Sequence, residues 1–390
     1  MITREQLDEA VRRGLIGAEQ RDGLIRFADT GSVASEEAKD TPAAGFDEQM
    51  RLIGGGNDVF VTIGVVMLSA GLFAALITFL GDRTTVMFGI MAVFLWAVAE
   101  FVTRQRRMRL ASTVIGLGFL FAVQAILTDW VVTGYGIAMP ENPLQLAAMR
   151  PQLGIAGTVL LGGVATAAVL YFWRFRVPVM AGAIALCLTA LSFFYVTLFL
   201  YDGVTEGRLY LPALDDLPDL LRNALYMPLI SGLAIFAVGV MFDLRDRERV
   251  TVWSDCAFWL HVISAPLLVH PLFIMSTGQD VVFGEIEPGT SAMVMLAVLI
   301  TVFVYVALAI DRRSLLIPTL AYFGSLGIYY LVNSAANQTG IPPFALILLV
   351  VGALIMAFGA GWQRIRGLII RPTLPTSLLD KLPPIRVHTT

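Results

Sequence analysis

"DVFVTIGVVMLSAGLFAALITFL", residues 58–80, carries no charged side chain after Asp58. A transmembrane helix needs about 20 mostly apolar residues, and this stretch reaches that length alone. Similar runs recur at roughly 85–102, 110–131, 153–173, 177–200, 228–242, 252–275, 291–310, 314–334 and 342–361. The sixth is the shortest. Composition agrees: the 390 residues are 57% hydrophobic and 15% charged, with mean hydropathy +0.76, whereas a soluble domain averages ~25% charged residues. The expected fold is all-α, a polytopic membrane bundle of about ten transmembrane helices over 58–361.

Residues 1–30 read as a small cytoplasmic helical hairpin. Thr3 and Gln6 form a capping-box pattern. Leu7, Ala10 and Val11 follow at helical spacing, Gly14 and Gly17 bracket a break, and a second helix carries Leu24, Ile25 and Phe27. Acids and bases nearly balance there, which argues against nucleic acid as a partner. Residues 31–57 form a linker, polar through "GSVASEEAKDTPAAG" and ending in the glycines of "GGGND". The N-terminus lacks the apolar core of a signal peptide. Residues 362–390 read as a cytoplasmic tail.

Arginine sets the expected orientation. "TRQRRMR" follows span two, "RFR" span four, "RDRER" span six and "DRR" span eight, while the tail holds Arg364, Arg366 and Arg371. The opposite loops hold far fewer bases. By the positive-inside rule both termini face the cytoplasm. The preference for arginine over lysine is associated with GC-rich bacterial genomes, so the expected location is a bacterial inner membrane. The net charge of −3 matters less than this asymmetry. The basic clusters at Arg104, Arg174, Arg245 and Arg312 recur about every 70 residues, three of them just after an acid (Glu100, Asp243, Asp311). A repeated helix pair and the charge rule alone both account for that spacing.

Membrane helices associate by close packing and polar contacts. Gly154, Thr158, Gly162 and Thr166 fall at four-residue steps in span four and predict close packing on span five. Trp173, Trp253 and Trp362 are expected at the inner interface, and Trp130, Tyr135 and Tyr226 at the outer one.

Polar residues gather in the outer halves of the odd spans, and such groups face a bundle interior or a water-filled cavity. Gln124, His270, Tyr329 and Asn333 are the candidates for an outward-facing vestibule. "HVISAPLLVHP", 261–271, holds two of the chain's three histidines. Nine residues of helix put His261 and His270 on opposite faces about 13 Å apart along the axis, so they cannot share a metal or a haem. Pro266 and Pro271 each remove a ladder bond and predict a kink. His261 then reads as structural and His270 as the pH-responsive candidate. No catalytic motif, zinc signature or phosphate loop is present, and Cys187 and Cys256 read as buried hydrophobes. The expectation is no enzyme, no cofactor and no metal.

The helical N-terminus followed by "RLIGGGNDVFVTIG", with "FWLHVISAPLLVHPLF" and "DRRSLL", resembles a family of bacterial polytopic inner-membrane proteins classed as a domain of unknown function. That resemblance implies a cytoplasmic N-terminal helical segment and carries no reaction. Two functions fit the sequence. One is a transporter-like or solute-binding permease using the vestibule. The other is a membrane scaffold or regulator engaging a protein partner through residues 1–30. In both, the lipid bilayer is the main partner.

Overall fold

Hydrocarbon offers no partner to a backbone N–H or C=O, so a chain this apolar satisfies them within helices. The computed structural model describes residues 56–136, 149–209, 225–246, 249, 251–277, 290–316, 343–379 and 382, with six positions between 11 and 22. Among the described residues there is no strand. The chain divides into two units, Met1–Gln49 and Met50–Thr390.

In the first unit, Gly17 N–H donates to Gln20 Oε1 at 2.9 Å, and Arg21 N–H donates to Gly17 O at 3.0 Å. A side chain three residues on that accepts from the cap N–H is half of a capping box, so Gly17 has the contacts of an N-cap, and Gln20, Arg21 and Asp22 are helical. Thr3, Leu7, Leu24 and Phe27 lie outside the described residues.

In the second unit the helices are α1 (Gly56–Leu80), α2 (Thr84–Gln105), α3 (Arg109–Tyr135), α4 (Arg150–Phe175), α5 (Val179–Thr205), α6 (Tyr226–Arg245) and α7 (Val252–Thr277). These seven are long and apolar enough to cross a membrane, which marks a membrane-embedded protein. α8 (Thr290–Ile310) and α9 (Pro343–Thr373) follow. Span 314–334 lies mostly outside the described residues. Phe60, Met67, Phe79 and Val93 are all exposed, as lipid-facing side chains would be. α7 is the central element: half of its most apolar stretch is buried, whereas α1 is mostly exposed. It packs on α5, α6 and α8.

Contacts between helix ends give an alternating up-and-down order. At one end, Asp58 in the first turn of α1 accepts from the N–H groups of Leu110 and Ala111, at 2.9 and 3.1 Å, and so caps α3. Glu100 meets Arg174 at this same end, 2.7 Å away. At the other end Thr85 binds Asp129, and Arg150 forks onto Asp202, with Nε to Oδ1 at 2.8 Å.

The turns differ by end. Those at Gly81, Gly136 and Gly207 use glycine at positive φ, where a missing Cβ costs nothing. The arginine-rich turns place Arg107, Arg176, Arg249 and Asp311 there instead, at φ 52–56°.

Close packing uses other glycines than the four-residue stripe suggests. α4 carries a π-helical segment over Thr158–Gly162, which breaks the four-residue register of Gly154, Thr158, Gly162 and Thr166. A methyl on Gly162 would meet nothing within 4 Å, and one on Gly154 would meet only Arg150 of its own helix. Gly157 instead receives the Phe194 ring of α5, and Gly163 receives Leu127 of α3. Thr158 does reach α5, with its Oγ1 2.5 Å from Tyr195 Oη. Thr166 Oγ1 donates to Gly162 O in its own helix.

α7 runs as helix through both prolines. Pro266 is exposed and Pro271 buried. α9 continues past 361, where the sequence suggests that the bundle ends. Trp362, Arg366 and Ile370 are buried, and Trp362 and Ile370 pack in an apolar core with Val269, Phe273 and Leu308. A second core joins Leu95, Ile115, Tyr171, Phe175 and Met180.

Candidate functional site in the arginine-rich end of the bundle

An ionisable side chain inside an apolar bundle is expensive and persists only where it is paired. α6, α7 and the turn after α8 bring several such groups together. Asp243 lies near the C-terminal end of α6, and Gly239 lies one turn before it on the same helix. His261 stands on α7, Ser254 lies two turns earlier, and Arg312 follows α8.

The Asp243 carboxylate is the hub. Arg312 Nε donates to its Oδ1 and Oδ2 at 3.1 and 3.0 Å, and Arg312 Nη2 also binds Oδ1. His261 Nε2 lies 2.9 Å from Oδ2. Arg312 Nη2 further donates to Ser254 Oγ at 2.8 Å and Ser254 O at 3.2 Å. His261 is 0% exposed, Arg312 3% and Asp243 8%. The imidazole packs against Phe236, ring centroids 5.3 Å apart. It fits because position 239 is glycine: a Cβ there would lie 2.9 Å from the ring's Cε1. His261 Nδ1 has no hydrogen-bond partner among the described residues.

A second buried cluster adjoins it at Asp311. Trp362 Nε1 donates to Asp311 Oδ1 at 2.7 Å, while Arg249 and Arg366 approach Oδ2 to 3.6 and 3.7 Å. The same arginines satisfy the last carbonyls of α8. Arg366 Nε donates to Leu308 O at 2.8 Å, and Arg249 Nη2 donates to Asp311 O at 2.8 Å and Ile310 O at 3.2 Å. Helix-end carbonyls lack partners of their own helix, and these guanidinium groups supply them. Trp362, expected at the interface, is therefore inside the bundle because its N–H has a carboxylate to bind.

The sequence candidates fall elsewhere. Gln124 Nε2 donates to Thr128 Oγ1 of its own helix at 3.2 Å. His270 is half-buried on α7. Tyr329 and Asn333 lie outside the described residues. Ser264, a possible donor to the carbonyl freed by Pro266, donates instead to His261 O at 3.1 Å. Among the described residues no three His, Cys, Asp or Glu side chains form a metal cluster, and both cysteines are free thiols.

The sequence signal for this site was the acid before each basic turn. Its partner was not visible, because Arg312 lies 69 residues from Asp243. The sequence sets His261 apart from His270 by helix face, but its contacts with Asp243 and Gly239 depend on how α6 meets α7. Comparison with family models, curated proteins and solved structures found no match.

Proposed function

We propose that the protein is a permease of the bacterial inner membrane, multi-pass with both termini cytoplasmic and about ten spans, and that Asp243, His261, Arg312 and Ser254 form its working centre. What carries the reading is the buried hydrogen-bonded set itself. A stabilising core of the same volume needs no charge, and replacing a buried ion pair by apolar packing is often neutral or stabilising. An ionisable set sealed inside an apolar bundle is by default a candidate for a pathway or relay. The network also joins three separate elements, as a centre that responds to helix movement would. Gln124, His270, Tyr329 and Asn333 remain candidates for an entrance on the opposite side.

The test is osmotic. Proteoliposomes holding the full chain are mixed with amino acids, sugars or organic acids, and volume recovery is followed by light scattering. The expected result is entry of one solute class, lost in Asp243→Asn protein that still elutes as a folded species. Vesicles with folded native protein that exclude all three classes would sink the reading. Orientation is checked separately by single cysteines beside Arg107 and beside Gly81: an impermeant maleimide added to intact cells should label only the second.

A further inference from the structure

We propose that His261 Nδ1 is a proton-binding site, and, resting on the permease reading, that it binds the coupling proton. The argument begins with the tautomer. Asp243 is held by a guanidinium through Arg312 Nε and Nη2, so it is a carboxylate and can only accept hydrogen bonds. His261 Nε2, 2.9 Å from Oδ2, must therefore carry the hydrogen. In a neutral imidazole the other nitrogen then holds the lone pair. That atom is Nδ1, inside a side chain that is 0% exposed and without a hydrogen-bond partner among the described residues. A basic lone pair is thus buried in a ring that packs directly on Gly239, where an added Cβ would lie 2.9 Å from Cε1 and 3.2 Å from Nδ1.

The surroundings define what protonation does. From α6, Asp243 faces the ring, beside uncharged Phe236 and Gly239. From the turn after α8, Arg312 reaches the same carboxylate and Ser254. α5 meets α7 with Gly182 against Trp259 and Ile263. Asp311, Arg249 and Arg366 form the adjoining cluster.

One aqueous proton added to Nδ1 makes an imidazolium, with no bond broken elsewhere. Asp243, Arg312 and neutral His261 sum to zero charge, and the proton takes the set to +1. Two cations then share one carboxylate, which weakens the hold of Arg312. The new Nδ1–H also needs an acceptor, since an unsatisfied buried donor is costly. Relief requires water to enter beside Gly239 or α7 to shift against α6. Either event loosens the turn that closes α8. By linkage, whatever moves that turn must change proton affinity equally.

The experiment uses full-length chain in lipid nanodiscs, labelled with ¹⁵N-histidine and ¹⁵N-arginine, the Arg312 Nε signal being assigned with R312K. Signals of His270 and His388 are assigned with H270Q and H388Q. At about pH 8, where an unperturbed histidine is neutral, His261 should show hydrogen on Nε2 and a lone pair on Nδ1. Acidification over the range in which the protein stays folded should place a hydrogen on Nδ1 and shift the Arg312 Nε resonance with the same midpoint. A lone pair on Nε2, or an Nδ1 signal unchanged across that range, overturns the site. Solute entry with the same rate at both ends of that range in native protein overturns the coupling role and leaves the permease reading standing. A titrating Nδ1 in protein that admits no solute supports the proton site and overturns the permease reading.

Discussion

The two halves of the bundle use one device at very different depths. In the N-terminal half, Glu100 at the end of α2 pairs with Arg174 at the end of α4, and the side chains are 32% and 29% exposed. In the C-terminal half, Asp243 at the end of α6 pairs with Arg312 after α8, at 8% and 3%. The separations are similar, 74 and 69 residues. Each acid closes one helix pair and each base belongs to the next. Asp311 with Arg366 of α9 extends the series. The N-terminal half fills its interior with rings instead: Trp96, Phe119, Tyr171 and Phe175 stack edge and face, with centroids 4.6–5.8 Å apart. The N-terminal half leaves the Glu100–Arg174 pair half-buried and buries the Asp58 carboxylate against the backbone N–H groups that open α3. The other seals its pair inside and adds a histidine, which is why the working centre is placed there.

The largest break in that comparison comes from removing each acid. Exposed pairs contribute about 0–1 kcal/mol, while stripping one partner from a buried pair costs about 3–5 kcal/mol. Asp243→Asn should therefore destabilise the protein far more than Glu100→Gln, measured by thermal unfolding in detergent. Equal losses would mean that the two links are equivalent.

The indole of Trp362 gives the next test. Trp362→Phe keeps most of the packing and deletes the N–H donated to Asp311. Hydrogen bonds to charged groups contribute about 1.5–3 kcal/mol, and that loss is expected here. Trp173, 72% exposed, should change to phenylalanine within about 0.5 kcal/mol. Similar midpoints for the two variants would place Trp362 at an interface after all.

Two glycines, one from each half, give a smaller contrast between a tight site and an open one. Gly239→Ala drives a methyl into the His261 ring and should cost about 1–3 kcal/mol as overpacking. Gly162→Ala meets open space and should be neutral, or gain up to about 1 kcal/mol from helix propensity. The proton site adds a second readout: Gly239→Ala should also perturb the His261 ring signals, and Gly162→Ala should not.

The helices were legible because hydrocarbon solvent writes length and apolarity directly into the chain: spans two to five match α2 to α5 within a few residues. α4 does pack on α5, and Thr158 reaches it, but the closest glycine approach is at Gly157, outside the stripe, because a π-helical segment changes register without any signature in residue type. The buried cluster was half legible. Asp243 and Asp311 stood out before their basic turns, but turn acids usually face water, and nothing local told Asp243 from Glu100. What differs is tertiary: α7 lies over Asp243, Gly239 leaves room for a ring, and Arg312 arrives from a distant turn. Arg249 and Arg366 read as positive-inside charges, and their capping of α8 depends on which helix end comes near.

The smallest expected effect concerns the turns. A left-handed conformation costs a non-glycine residue about 1–2 kcal/mol. Gly81 avoids that cost at φ 55°, whereas Arg176 bears it at the same angle. Arg176→Gly should relieve the strain but lose conformational freedom on folding, about 0.5–1 kcal/mol, and the contact of its guanidinium with the Phe172 ring, 5.7 Å from the centroid. These terms nearly cancel, so its unfolding midpoint should stay close to native. Gly81→Ala takes on the left-handed strain, offset only in part by the entropy that glycine loses on folding, and should fall by about 0.5–1 kcal/mol. The strained arginines would then be kept for charge rather than for stability. That interpretation requires Arg107→Gly together with Arg176→Gly to raise the fraction of chains inserted the wrong way round, read by maleimide labelling, while the midpoint holds. If both substitutions leave insertion unchanged and lower the midpoint as much as Gly81→Ala does, the arginines are structural anchors and the two ends of the bundle differ in packing alone.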